Sequence, residues 1–155
     1  MIPKKFFVTS GKAFSPTSEL NAFDLALKEA GIAQCNLVPV TSILPPNSVE
    51  IDPVDIPIGS ITFAVISKMD GEGDTRIGAG IAWGWEKDGR YGLVAEAQGH
   101  MDEDSLREVL EWKIKEMAKI REIELGEIKY RIENMVVPTK NYGCVFAALV
   151  YLSEG

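Results

Sequence analysis

Residues 36–46, Asn-Leu-Val-Pro-Val-Thr-Ser-Ile-Leu-Pro-Pro, form an apolar run that leads directly into two adjacent prolines. A proline fixes its own φ, lacks an amide donor and pushes the residue before it toward extended backbone. The run therefore predicts one stiff, extended strand from Cys35 to Leu44. Thr41 and Ser42 lie side by side within it, with apolar residues before and after them.

Two interpretations of the Thr41–Ser42 pair are open from these residues. In the commoner one, the two hydroxyls bond to nearby backbone at the end of a strand, as Ser and Thr usually do. In the other, the Ser42 hydroxyl attacks the preceding carbonyl and converts the peptide into an ester. β-Elimination then cuts the chain and leaves a dehydroalanine, which hydrolyses to a pyruvoyl group. Because the pair itself is common, the residues alone favour the first interpretation.

Five short motifs along the chain bear on this choice. They are Asn-Ala-Phe-Asp at 21–24, Ala-Gly-Ile at 30–32, Asn-Leu at 36–37, Ser-Ile-Leu-Pro-Pro at 42–46 and Gly-Cys-Val-Phe-Ala-Ala at 143–148. Together, and in this order over nearly the whole chain, they resemble the pyruvoyl-dependent arginine decarboxylases. The chain departs at Thr41 from a known member of that family, which has serine there, so the hydroxyl is kept and a methyl group is added.

The resemblance implies a single domain, residues 1–155, that cuts itself between Thr41 and Ser42. The products would be a small chain, 1–41, and a large chain, 42–155, which begins with a pyruvoyl group derived from Ser42. This covalent group would replace any other cofactor or metal. The implied reaction is decarboxylation of L-arginine to agmatine and CO2 through an imine between the substrate amine and the pyruvoyl ketone.

The resemblance also assigns three further site residues, each of which has an ordinary structural explanation as well. Asp24 falls on or beside the apolar stripe of a predicted helix, and it either pairs locally or binds a guanidinium. Asn36 either bonds its own turn or donates to the oxyanion of the acyl shift. Glu96 either faces solvent from a strand or acts as the proton donor, with a pKa raised by an apolar site. The family resemblance favours the functional role at all three positions.

Two alternative functions stay open at this point. The chain could be a pyruvoyl-dependent decarboxylase of another amino acid. It could also stay uncut and act as a non-catalytic oligomeric binding domain.

Composition restricts the partners. The 155-residue chain has a net charge of −7, which argues against nucleic acid and suits a small cationic substrate. No apolar run approaches the roughly 20 residues of a membrane-spanning helix, and the N-terminal stretch lacks the features of a signal peptide, so we expect a cytoplasmic protein. Cys35 and Cys144 are far apart and share the chain with one histidine, which does not fit a metal motif.

The remaining pattern predicts an α+β fold. An early helix is expected between Ser18 and Gly31, with an apolar stripe through Leu20 and Leu27, and a long helix follows Asp102. Residues 11–17 are expected to form a loop, and alternating or apolar runs elsewhere predict strands. The family resemblance implies antiparallel sheets sandwiched between helices in four layers, αββα. It also implies homotrimers, or dimers of trimers, with active sites at the subunit interfaces.

Overall fold

The computed structural model describes residues 1–152, in which two facing sheets are each covered on the outside by one helix. In chain order the elements are β1 (Lys5–Ser15), α1 (Glu19–Ala30), β2 (Asn36–Pro39), β3 (Ile43–Leu44), β4 (Val49–Glu50), β5 (Ile61–Glu72), β6 (Arg76–Glu86), β7 (Gly92–Gly99), α2 (Glu103–Ile120), β8 (Leu125–Val136) and β9 (Tyr142–Leu152). The α+β fold expected from the sequence is confirmed.

The two sheets have different strand orders. The five-stranded sheet runs β2-β5-β9-β1-β4, and the four-stranded sheet runs β3-β7-β6-β8. Most neighbouring strands are antiparallel, whereas β2–β5 and β1–β4 are parallel. Strands β2 and β3, which are close in sequence, therefore lie at edges of different sheets.

Three packed layers fill the space between these elements. Alanines and Phe23 of α1 pack on the five-stranded sheet, and the apolar stripe of α2 packs on the four-stranded sheet. Between the sheets lies a third cluster, whose buried members are Phe6, Val8, Leu44, Val65, Ile81, Trp83, Val94, Ala147, Leu149 and Tyr151. Burial of this apolar surface is the main force that holds the two sheets face to face.

The ends of both helices agree with the sequence. The side chain of Ser18 accepts the Asn21 amide at the start of α1, and Gly31 closes the helix with a φ of 81°. The side chain of Asp102 accepts the Ser105 amide at the start of α2. No helix in the described part of the chain is long and apolar enough to cross a membrane.

The buried face of α1 differs from the predicted stripe. The buried residues are Ala22, Ala26 and Ala30, whereas Leu27 is half-buried and Leu20 is 75% exposed. The reason is the close approach of α1 to β1, because a Cβ built on Gly11 would lie 2.1 Å from the carbonyl oxygen of Ala26. Only small side chains fit at such a contact.

The expected single strand from Cys35 to Leu44 was wrong. Its first half, β2, pairs with β5, and this pattern continues to Val40, whose amide donates to the Ala64 carbonyl at 2.9 Å. Its second half, β3, pairs with β7 in the other sheet. The chain thus crosses from one sheet to the other at residues 40–42, because both sheet edges have unpaired backbone groups to satisfy.

The loop expected at residues 11–17 was also wrong for most of its length. β1 continues to Ser15 because β9 provides a partner along its whole length, from Lys5 opposite Leu152 to Ser15 opposite Tyr142. The pairing with a long neighbour outweighs the local preference of Gly and Ser for a loop.

Candidate active site

The Thr41–Ser42 peptide lies in the crossing between the two sheets, at the edge of the sandwich. Just before it, the Val40 amide is bound to the five-stranded sheet; just after it, the Ser42 carbonyl accepts the Val94 amide of the four-stranded sheet at 2.8 Å. Thr41 is exposed and Ser42 is half-buried. The peptide is therefore fixed on both sides and accessible in the middle.

A cavity of about 380 Å³ opens beside this peptide. It is lined by Thr41 and Ser42 together with mostly apolar residues from the edge of the sandwich: Met1, Pro3, Val40, Ile43, Pro45, Phe63 and Tyr151. A mostly apolar cavity with a few polar groups is typical of a small-molecule site.

Tyr151 supplies a polar side chain to this cavity. Its hydroxyl donates to the Ile43 carbonyl at 2.5 Å, and burial raises the pKa of Tyr151 to about 12. The phenol is a donor at neutral pH, as a tyrosine with its ordinary pKa of about 10 would be. Sequence analysis missed this residue; the available signal was a tyrosine inside the apolar run of β9, because a buried phenol needs a hydrogen-bond partner.

Glu96 lies on β7, the strand to which the Ser42 carbonyl is hydrogen-bonded. The β3–β7 register and the Val94–Ser42 bond place Ser42 opposite Val94, and Glu96 follows two residues later, about 7 Å along β7. Its side chain reaches solvent, yet burial by its surroundings raises the pKa of Glu96, and the nearby Lys113 charge partly offsets this effect. A carboxyl group that holds its proton more firmly is suited to proton donation.

Asn36 and Asp24 lie in a different place. Asn36 begins β2 and lines a groove of about 460 Å³ together with Phe23 and Leu27 of α1, and its side-chain amide donates to the Gly59 carbonyl at 3.0 Å. Asp24 follows Phe23 on α1 and is exposed. Asn36 is separated from Val40, where the crossing starts, by the length of β2, about 13 Å.

Within one chain the predicted site residues therefore form two groups. Ser42 and Glu96 lie on paired strands of the four-stranded sheet, about 7 Å apart along the strand direction, with Thr41 next to Ser42. Asn36 lines the outer groove between α1 and β2, and Asp24 is exposed on α1 next to Phe23, which also lines that groove. Neither group contains all the residues that the family resemblance assigns to one site.

The described residues include no cluster of three or more His, Cys, Asp or Glu side chains placed to hold a metal ion. Cys35 and Cys144 are free thiols, and burial raises the pKa of Cys144 to about 12. That thiol stays protonated, so it is not a nucleophile at neutral pH.

Comparison with known sequences gives consistent matches. The family model for pyruvoyl-dependent arginine decarboxylase matches residues 5–155. The chain is 35% identical over 150 residues to the pyruvoyl-dependent arginine decarboxylase of Methanopyrus kandleri, covering 97% of both chains. It is 36% identical over 155 residues to that of Methanothermobacter thermautotrophicus, covering 98% of this chain and 99% of the relative. The resemblance inferred from the motifs is confirmed.

Comparison with solved structures supports the fold. A pyruvoyl-dependent histidine decarboxylase matches with a TM-score of 0.52 and 16% identity, over 64% of this chain and 54% of that one. At this identity the match concerns the architecture alone. It agrees with the layered arrangement of two sheets and two helices.

Proposed function

The chain belongs to the pyruvoyl-dependent arginine decarboxylases, and from this membership we propose that it cuts itself at Ser42 and decarboxylates L-arginine to agmatine and CO2. The observation that carries the proposal is the position of the Thr41–Ser42 peptide. It spans the two sheets, is bound to a different sheet on each side and borders a cavity of about 380 Å³. A peptide held in this way is restricted to few conformations, which favours an intramolecular attack.

The proposed cleavage uses the chain's own atoms. The Ser42 hydroxyl oxygen attacks the Thr41 carbonyl carbon, the peptide C–N bond breaks, and the nitrogen takes up a proton, which leaves an ester. Loss of the Ser42 α-proton then expels the Thr41 carboxylate and leaves a dehydroalanine. Water hydrolyses the tautomeric imine and releases ammonia. The large chain then begins with a pyruvoyl group.

The Val94 amide has a clear role in the second step. Removal of the Ser42 α-proton places negative charge on the Ser42 carbonyl oxygen, which already accepts the Val94 amide at 2.8 Å. A preorganised backbone donor at the atom where charge develops lowers the barrier of such a step. The hydrogen bond from the Val94 amide therefore suits the formation of the pyruvoyl group at Ser42.

When formed, the pyruvoyl group supplies a ketone for the substrate amine and an electron acceptor for the pair released with CO2. Residues of the chain deliver the proton and limit the access of water. We assign to Glu96 the delivery of a proton to the substrate α-carbon, because its pKa is raised and it lies on β7 near Ser42. The apolar walls of the cavity limit competing reactions with water.

Substrate recognition requires the second group of residues. We assign to Asp24 the binding of the arginine guanidinium, since a carboxylate matches its planar fork of donors. We also assign to Asn36 the donation of a hydrogen bond at the Thr41 carbonyl. Because these two residues lie away from Ser42 in one chain, we propose a homotrimer, alone or paired, in which the outer groove of one subunit meets the Ser42 edge of the next.

The proposal is tested by mass spectrometry of the purified, denatured protein. We expect two chains, 1–41 and 42–155, with the larger one lighter by one ammonia than a serine-started chain and without a free α-amine. Agmatine formation from arginine is measured on the same sample. A single intact chain in an active sample would exclude self-cleavage and favour an uncut binding domain or another chemistry.

Replacing Asp24 by Asn tests the assignment of the guanidinium partner. We expect the KM for arginine to rise by about 10-fold or more, because a charge-assisted pair becomes a neutral one, while cleavage at Ser42 continues. Glu29→Gln is the matched control, since Glu29 is also exposed on α1. Unchanged arginine affinity in Asp24→Asn would overturn the assignment and leave open another amino acid as substrate.

A further inference from the structure

The carbonyl groups on the C-terminal side of the scissile peptide are held from both sheets. The Ser42 carbonyl accepts the Val94 amide of the four-stranded sheet, and the next carbonyl, of Ile43, accepts the Tyr151 hydroxyl of the five-stranded sheet. Tyr151 is 6% exposed and belongs to the apolar cluster between the sheets. Its ring is fixed by that packing, so the hydroxyl has little freedom to move.

This bond constrains the residue that would react. For the Ser42 hydroxyl to attack, its oxygen must lie roughly 3 to 3.5 Å from the Thr41 carbonyl carbon, along a suitable direction. The torsion angles of Ser42 set that approach, and they depend on where the following peptide is anchored. The Val94 amide, from the four-stranded sheet, fixes the Ser42 carbonyl. The Tyr151 hydroxyl, from the five-stranded sheet, fixes the Ile43 carbonyl.

We propose that Tyr151 is a positioning residue for self-cleavage, whose hydrogen bond to the Ile43 carbonyl holds Ser42 in the conformation that attacks Thr41. This inference rests on the self-cleavage proposed above. It assigns the effect to the first step, the acyl shift, because the bond orients the nucleophile and touches neither the α-proton of Ser42 nor the leaving carboxylate.

The hydroxyl is the part of Tyr151 that needs a special explanation. The run from Cys144 to Leu152 is otherwise apolar, and a phenylalanine would fill the same volume in the cluster between the sheets. A phenol is protonated at neutral pH even at the ordinary tyrosine pKa of about 10, so this hydroxyl is available as a donor. The same side chain lines the cavity beside Thr41 and Ser42, so the group that orients the peptide also borders the site of attack.

The test is Tyr151→Phe, which removes one oxygen atom. We expect self-cleavage to slow by about 10-fold or more, measured as the loss of intact chain over time, because the anchored geometry is loosened. Tyr142→Phe is the matched control, since Tyr142 lies at the other end of β9 and packs in the cluster under α1. Its cleavage rate should equal that of the wild type.

Hydroxylamine identifies the affected step. It cleaves esters rapidly and amides slowly, so an accumulated ester is released as a large chain that begins with serine. We expect the uncut Tyr151→Phe chain to resist hydroxylamine, since the ester does not form. Rapid release would place the defect after the acyl shift and overturn the proposal, as would cleavage at the wild-type rate.

A melting temperature equal to that of uncut Ser42→Ala protein shows that slow cleavage is not caused by unfolding. If Tyr151→Phe does not assemble, O-methyltyrosine at position 151 keeps the ring and the oxygen but cannot donate a hydrogen bond. Cleavage of that protein at the wild-type rate would equally overturn the proposal. An uncut wild-type chain, in contrast, would refute self-cleavage itself.

Discussion

Ser42→Ala is expected to remain one intact chain and to lose agmatine formation by about 10⁴-fold or more, the scale seen when a covalent nucleophile is removed. Alanine has no hydroxyl to attack the Thr41 carbonyl, so neither the ester nor the pyruvoyl group forms. The fold should persist, because Ser42 is bound to β7 through its backbone carbonyl. Mass spectrometry of the denatured chain and an agmatine assay measure the two effects.

Ser48→Ala is the matched control for this prediction. Ser48 lies in the same connection, and its hydroxyl donates to the Pro45 carbonyl at 2.8 Å. That bond stabilises the turn after β3 and lies away from the Thr41 carbonyl, so cleavage should continue. Agmatine formation that survives in Ser42→Ala would contradict the whole mechanism.

Glu96→Gln is expected to lower kcat by about 10²- to 10⁴-fold, the usual contribution of a positioned general acid, while the chain is still cut at Ser42. Glutamine keeps the size of the side chain but cannot deliver a proton. Steady-state kinetics on fully cleaved protein separate this effect from a defect in maturation. Glu127→Gln, an exposed change on β8 of the same sheet, should leave kcat unchanged.

The pH profile gives a second measure of Glu96. Because burial raises its pKa, the protonated acid persists to higher pH than for an exposed glutamate. An acid that works in its protonated form gives a rate that falls as pH rises through this raised pKa. The Glu96→Gln protein should lack that limb. If the rate of the Glu96→Gln protein falls with rising pH in the same way, another group causes that fall.

Local features of the fold were predictable from the sequence. Ser18, Gly31 and Asp102 define helix ends through contacts within three or four residues, which a sequence displays directly. The long strand β9 also follows from its apolar run. These elements depend on neighbours in the chain rather than on distant partners.

Features that depend on distant pairing were not predictable. A run of apolar residues from Cys35 to Leu44 has the same appearance whether it stays in one sheet or crosses to another. The division arises because β5 and β7, far along the chain, each bind one half of it. In the same way, β1 extends to Ser15 because β9 continues beside it.

The candidate site was predictable only in part. The motif around Ser42 and the family resemblance assigned the residues, and the structure places Glu96 two positions after Val94, the partner of Ser42 on β7. That Asn36 lines another groove, with Asp24 exposed on the neighbouring helix, depends on how α1 and β2 pack, which residue spacing does not reveal. The contact of Tyr151 with Ile43 joins positions 108 residues apart, so no local pattern contains it.

The arrangement of β1 has a consequence for the protein if it is cut at Ser42 as proposed. β1 belongs to the 1–41 fragment, yet it lies between β9 and β4, both of which belong to the 42–155 fragment. After such a cut the two polypeptides would be interleaved, with 11 paired positions between β1 and β9. Refolding of each subunit would then require two polypeptides to associate, so the stability of the subunit would depend on protein concentration, whereas the uncut chain folds as one polypeptide before any subunits assemble.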